Sequence, residues 1–132
     1  MARGLDQHRQ RKEAVAGLGR TLSRRAKNRC ELCEDRTSLK VVEVEPVFEE
    51  PDEERAVMIC ERCERALTGG RGAPGPQELR FLEASVWATV LPVQLAAVRI
   101  ARRLAGEEVT WARDLVDGLY LDDEVQALLD AS

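Results

Sequence analysis

The residues in this sequence best equipped for chemistry are four cysteines, Cys30, Cys33, Cys60 and Cys63. They form two C-x-x-C pairs separated by 26 residues, and no cysteine is left over. A two-residue spacer lets both thiolates of a pair reach one ion, and two pairs complete a tetrahedral shell of the kind zinc prefers. Such a shell has no open position for water or substrate, so the expected role of the ion is structural. Disulfides belong to exported chains, and no continuous apolar run follows the basic start as it would in a signal peptide. A thioredoxin-like redox pair needs one C-x-x-C in a βαβ context. An iron–sulfur cluster also accepts four cysteines. The count and spacing favour zinc, one ion per chain.

The elements that must carry these ligands can be read from the flanking pattern. Residues 39–45 (LKVVEVE) alternate roughly in polarity and read as a strand that Pro46 ends. Residues 56–59 (AVMI) make a second short strand, whose end delivers Cys60 and Cys63 into a helix over 61–67. Residues 69–76 (GGRGAPGP) cannot continue that helix and read as a linker. Upstream, residues 8–27 have the pattern of one helix, with Val15, Leu18, Leu22 and Ala26 as a thin apolar stripe and Asn28 as its stop. Downstream, Leu79, Leu82 and Val86 share a helix face after Pro76. Val93, Ala97, Ile100 and Leu104 make a second stripe that starts at, or kinks around, Pro92. Thr110 and Asp122 are candidate amino-terminal caps for two short final helices.

The expected fold class is therefore a small α+β zinc module flanked by an amino-terminal helix and a carboxyl-terminal helical region, mostly α. The module comprises a treble-clef-like four-cysteine knuckle, a β-hairpin and a helix. The corresponding domains are a basic helix over 1–29, the four-cysteine zinc-binding module over 30–68, the linker over 69–76 and the helical region over 77–132. A zinc ribbon is the other geometry the cysteine spacing allows.

Charge is distributed unevenly. Residues 1–29 hold nine Lys/Arg against two acids, although the whole chain has a net charge of -4. Arg20, Arg24 and Lys27 fall at i, i+4 and i+7, with Arg25 and Arg29 beside them, so a basic helix face is available for phosphate contacts. The competing reading is a solvated face, or one neutralised by the acidic loop over 49–54. No aromatic residue is interspersed among these cations, which argues against single-strand binding. Trp87 and Trp111 sit at helical spacing among apolar residues and are expected in the core. The acids Asp114, Asp117, Asp122 and Asp123 lack the glycine-centred calcium-loop pattern and are expected at the surface. The longest apolar stretch, residues 84–98, is interrupted by Pro92 and Gln94 and falls short of the about 20 residues a bilayer span needs. The chain reads as soluble and cytoplasmic, with no membrane partner.

The order of knuckle, hairpin and helix-borne pair resembles the metal scaffold of the HNH nucleases. Where those enzymes carry histidines, this sequence has Val42, Glu43 and Glu64, and its single histidine is His8. The catalytic equipment of that family is thus missing. A fuller resemblance is to the PhnA family. It runs through Leu22 to Cys33 (LSRRAKNRCELC), Val41 to Pro46 (VVEVEP), Met58 to Cys63 (MICERC), Trp87 to Ala97 (WATVLPVQLAA) and Trp111 to Asp123 (WARDLVDGLYLDD). The resemblance implies a zinc module of the same kind. The family's name derives from an alkylphosphonate-utilisation operon, a gene neighbourhood that establishes no reaction. Many members pair the module with a carboxyl-terminal β domain, which helices replace here.

With no His/carboxylate cluster and no phosphate-binding loop, a non-enzymatic binding module is favoured over an enzyme of phosphonate metabolism. Nucleic acid, contacted through Arg20, Arg24, Arg25, Lys27 and Arg29, is the leading partner. A protein adaptor or homo-oligomeric scaffold using the carboxyl-terminal helices is the alternative.

Overall fold

The computed structural model describes residues 2–131, and its organisation follows from one five-residue run. Strand β2 (Ala56–Cys60) is buried at every position. It pairs antiparallel with β1 (Leu39–Glu43), with Leu39 opposite Cys60 and Glu43 opposite Ala56. Side chains alternate across a strand. Ala56 and Met58 therefore meet Leu22 in one small cluster, while Val57 and Ile59 face the main core; Cys60, where the strand ends, joins the main core as well. A strand covered on both faces needs an unbroken apolar sequence, which is what AVMI supplies.

The cover on the first face is α2 (Gly19–Ala26), preceded by α1 (Ala2–Ala16). The single helix expected over 8–27 is in fact two. Gly17 and Gly19 each weaken a helix by about 1 kcal/mol relative to alanine, and the chain turns between them. Lys27 and Asn28 then take left-handed backbone angles, φ 56° and 58°, and end α2 through amide bonds back to Arg24 and Ser23. Leu22 is fully buried at the centre of α2. Leu22→Ala is expected to cost about 2–5 kcal/mol, read by denaturant unfolding at saturating metal. A change within about 0.5 kcal/mol, the scale of ordinary surface substitutions, would mean that α2 is not packed as described.

The second face of β2 meets the carboxyl-terminal helices. After α3 (Glu61–Thr68) the chain reverses at Gly69, whose φ of 72° suits glycine. A 3-10 turn (Pro76–Leu79) and the short α4 (Leu82–Ser85) lead to α5 (Leu91–Gly106). Two further helices follow, α6 (Thr110–Asp117) and α7 (Asp123–Asp130). Val93, Ala97, Ile100 and Leu104 are all buried, as their spacing implies, and α5 is the central helix. One hydrophobic cluster runs from Cys30, Val57, Ile59 and Cys63 through Leu79 and Leu82 to Leu95, Ile100 and Val125. The four-cysteine segment and the helices after residue 76 thus share a core.

Three details explain local sequence choices. Pro92 occupies the first turn of α5, where its missing N–H costs nothing, so it starts the helix rather than kinking it. The Gln94 amide donates to the Val86 carbonyl at 3.0 Å and closes the joint between α4 and α5. Asp122 is the amino-terminal cap residue of α7, but Val109, not Thr110, precedes the first turn of α6. No helix among the described residues is long and apolar enough to cross a membrane.

Candidate metal centre and basic edge

The fold brings all four cysteines to one point. Cys30 and Cys33 sit on a tight turn that follows α2. There the Glu34 amide donates to the Cys30 carbonyl at 2.9 Å, with φ 69° at Glu34. Cys60 closes β2 and caps α3, and Cys63 lies in the first turn of that helix. Backbone N–H groups at a helix start favour thiolate over thiol. This is the treble-clef order of knuckle, hairpin and helix, not a ribbon.

The four sulfurs lie within 4.8 Å of one another, and the Sγ atoms of Cys33 and Cys60 are 3.6 Å apart. A tetrahedron with metal–sulfur bonds of about 2.3 Å has sulfur–sulfur edges of about 3.8 Å. The donor set therefore fits a single tetrahedral ion. Cys30, Cys60 and Cys63 are buried and Cys33 is half-buried, which shields the ligands from exchange with solvent.

The electrostatics of the bare sulfur cluster point the same way. The hydrogen bond from Cys63, helped by the backbone amides around it, pulls Cys30 down to about 5. The reciprocal bond to Cys30, together with burial, pushes Cys63 strongly up, and burial raises Cys60. Four thiols crowded together cannot all ionise without a cation between them. A divalent ion bound by four thiolates leaves excess negative charge, which calls for a nearby positive group. Arg62 hydrogen bonds to Cys33, and that contact raises the guanidinium's own pKa.

A buried ion pair supports the knuckle from behind. Glu31, between the first two cysteines, accepts two bonds from Arg25, each 2.8 Å long, and one from the Met58 amide at 2.8 Å. Its side chain is only 6% exposed. Arg25 also donates to the carbonyls of Ala56 and Glu53. Arg25 is consequently not available to an outside phosphate, a correction to its place in the basic face. Sequence position alone could not separate it from its neighbours, because its partners lie 6, 28 and 31 residues away.

The other four cations of that face behave differently. Arg20, Arg24, Lys27 and Arg29 are exposed, and none makes an ion pair or side-chain hydrogen bond among the described residues. The acidic loop over 49–54 does press on the amino-terminal helices, but chiefly through carbonyl groups. Arg11 donates to the carbonyls of Phe48 and Glu49 as well as to both carboxylate oxygens of Glu43. The loop leaves the outer edge of α2 uncovered.

Of the positions where the nucleases carry histidines, Glu43 and Glu64 are paired, with Arg11 at 2.6 Å and Lys40 at 2.9 Å, and the third is Val42. His8 is exposed on α1, and Asp114, Asp117, Asp122 and Asp123 are exposed. Among the described residues, only the cysteine quartet gathers as a metal-competent group. Trp111 packs against the core as expected, but Trp87 is 51% exposed, contrary to the expectation of a core position. No known family model matches the chain, and no curated protein or solved structure matches it either.

Proposed function

We propose that this chain is a PhnA-like structural-zinc module that binds nucleic acid through Arg20, Arg24, Lys27 and Arg29. The metal is zinc, because four converging thiolates in a closed, largely buried shell suit a soft-accepting, redox-inert ion. The resemblance through the cysteine pairs and the W-x-x-x-x-P-V-Q segment supports the family assignment. The observation that carries the nucleic-acid reading is the set of four exposed cations, without partners among the described residues, on one edge of an otherwise acidic protein. Phosphate contacts need positioned positive charge and nothing more.

An adaptor role through the carboxyl-terminal helices is weaker, since the apolar stripe of α5 is already buried against its own neighbours. A phosphonate or phosphate-ester hydrolase would need a nucleophile or catalytic metal. The carboxylates best placed to serve it, Glu43 and Glu64, are held by cations.

The test is a salt titration with duplex DNA and duplex RNA. Each phosphate contact contributes about 0.9 to the slope of log affinity against log salt. Replacing Arg20, Arg24, Lys27 and Arg29 together by alanine is expected to flatten that slope by about 3–4 and to abolish measurable binding at about 150 mM salt. Replacing Arg25 alone is expected to lower stability and leave the slope within about one contact of the parent. Binding that is absent at low salt, or insensitive to salt, overturns the proposal.

A further inference from the structure

Strand β1 has a single partner, so one of its two edges is open. In an antiparallel pair, residues that bond to the partner strand alternate with residues whose N–H and C=O point away from it. The Val44 amide donates to the Arg55 carbonyl at 2.8 Å, which with the register places Lys40 and Val42 among the bonded residues. Val41 and Glu43 are the alternate ones, and their backbone groups point outward. Among the described residues, nothing hydrogen bonds to the N–H or C=O of either. The far edge of the hairpin is closed by contrast. There the Glu31 amide donates to the Met58 carbonyl, and the Met58 amide donates to the Glu31 carboxylate, each at 2.8 Å.

The open edge lies in a groove of about 380 Å³. On one side stands α1, with His8, Arg11, Lys12 and Val15, and on the other α3, with Glu64. Natural sheets block an open edge with a charged side chain, a proline or a bulge. The two charges on β1 are instead drawn aside. Glu43 lies against Arg11 of α1 at 2.6 Å, and Lys40 against Glu64 of α3 at 2.9 Å. Pro46 comes only after the strand has ended. Val41 and Val42, both half-buried, are left lining the groove.

We infer that the outer edge of β1 takes an extended peptide as a further strand, with acidic side chains on its α1 side and apolar ones on its α3 side. An added strand satisfies the outward groups of Val41 and Glu43 with its own amides, which a nucleic-acid backbone does not possess. Side chains of an extended segment alternate between faces. Those on the α1 side meet His8, Arg11 and Lys12 against one acid, Glu43. Lys12 is exposed and makes no ion pair among the described residues, so this wall has positive charge to spare. Those on the α3 side meet Val42, where the charges of Lys40 and Glu64 cancel. A second copy fits less well. Its own edge stands between the same two helices, so joining edge to edge would press α1 and α3 against their counterparts. Arg20, Arg24, Lys27 and Arg29 do not line this groove, and the inference is independent of the nucleic-acid reading.

The experiment uses the full zinc-loaded chain and a seven-residue peptide, blocked at both ends, that alternates valine and aspartate. A five-residue strand offers an edge of about 17 Å, which this peptide covers. Affinity is read by anisotropy, and the site by amide hydrogen exchange followed residue by residue. The Val41 and Glu43 amides are expected to gain protection on binding, whereas Lys40 and Val42 are already protected by β2. Two N-methylated peptides, one blocked at every valine and one at every aspartate, test the strand pairing. Only alternate amides of an added strand face β1. One isomer is therefore expected to lose about tenfold or more in affinity and the other to stay within about threefold. Lys12→Glu, at an exposed position, is expected to weaken binding by about 3- to 10-fold at low salt with an unchanged melting temperature. A valine–lysine peptide should bind more weakly than the valine–aspartate one, and equal or tighter binding overturns the acidic assignment. No gain in protection at Val41 and Glu43 with about 1 mM peptide overturns the proposal, as does equal binding by the two methylated isomers. Protection of the same amides without peptide, in a chain that sediments as a dimer, overturns it in favour of a second copy. Displacement of the peptide by duplex DNA overturns it in favour of nucleic acid in the groove.

Discussion

Stripping the metal with a strong chelator is expected to unfold the hairpin and α3 and to erase the cooperative melting of the whole chain. The apolar residues between the cysteine pairs are buried in clusters shared with α2 and the carboxyl-terminal helices rather than in a core of their own, and three of the four ligands belong to the main hydrophobic cluster. In finger peptides structural zinc supplies about 10–16 kcal/mol of apparent binding energy, comparable to or above the typical total stability of a domain, about 5–15 kcal/mol. Loss of the ion cannot stay local here. Ile59 and Cys60 pack in the same cluster as Leu95 and Ile100, so a melted hairpin uncovers the face of α5. Cys63→Ser, at a fully buried ligand, is expected to behave like metal removal. Cys33→Ser, at the half-buried corner, is expected to retain a weakened three-thiolate site with faster metal loss. Elemental analysis should give one zinc per chain for the parent, and circular dichroism with and without chelator gives the structural effect. Acid should mimic the chelator, since protons compete with the metal for thiolates as pH falls. Purified protein without stoichiometric metal, and with a melt unchanged by chelator, would sink the zinc reading.

The parts legible in the sequence are those set by local covalent chemistry or short-range periodicity. Two C-x-x-C pairs announce a shared ion because the constraint is the reach of a two-residue turn. The AVMI run, the stripe from Val93 to Leu104 and the helix start at Pro92 are likewise local patterns, and each is found where expected. What could not be read depends on partners distant in sequence. The basic face looked uniform from Arg20 to Arg29, yet only tertiary structure shows Arg25 turned to Glu31, Glu53 and Ala56. Trp87 shares its helical spacing with core residues, and its exposure is decided by how the α4–α5 joint is tied. Leu119-Tyr120-Leu121 illustrates the same limit. The two leucines pack against the core, while Tyr120 between them is 87% exposed, an alternation visible only once the segment is known to be non-helical. The break between α1 and α2 is an intermediate case. Gly17 and Gly19 weaken a helix locally, whereas the apolar stripe that crosses them favours continuity, and the break falls at the glycines.

The Arg25–Glu31 pair offers the sharpest test of how the basic segment is attached to the metal module. Glu31→Ala is expected to cost about 3–5 kcal/mol, the range for breaking a buried ion pair by removing one member. Two groups lose their acceptor together, the Met58 amide on β2 and the Arg25 guanidinium, which is left with a charge unpaired and only the Glu53 and Ala56 carbonyls as partners. Glu31→Gln keeps an acceptor for that amide and removes only the charge, so a smaller loss of about 1–3 kcal/mol is expected. Arg25→Ala leaves the carboxylate with one amide for company and should approach the cost of Glu31→Ala. Because each single change strands the other partner, the double variant should cost much less than the sum, and a coupling of about 2 kcal/mol or more is expected. Denaturant unfolding at saturating zinc measures stability, and competition with a chromophoric chelator measures metal affinity. Glu31 lies between Cys30 and Cys33, so its loss should loosen the knuckle and speed zinc release as well as destabilise α2. Glu31 variants that match the parent in both measurements would show that α2 does not depend on this pair. The position of the basic edge relative to the metal would then have to come from the apolar packing of Leu18, Leu22 and Ala26 against the hairpin.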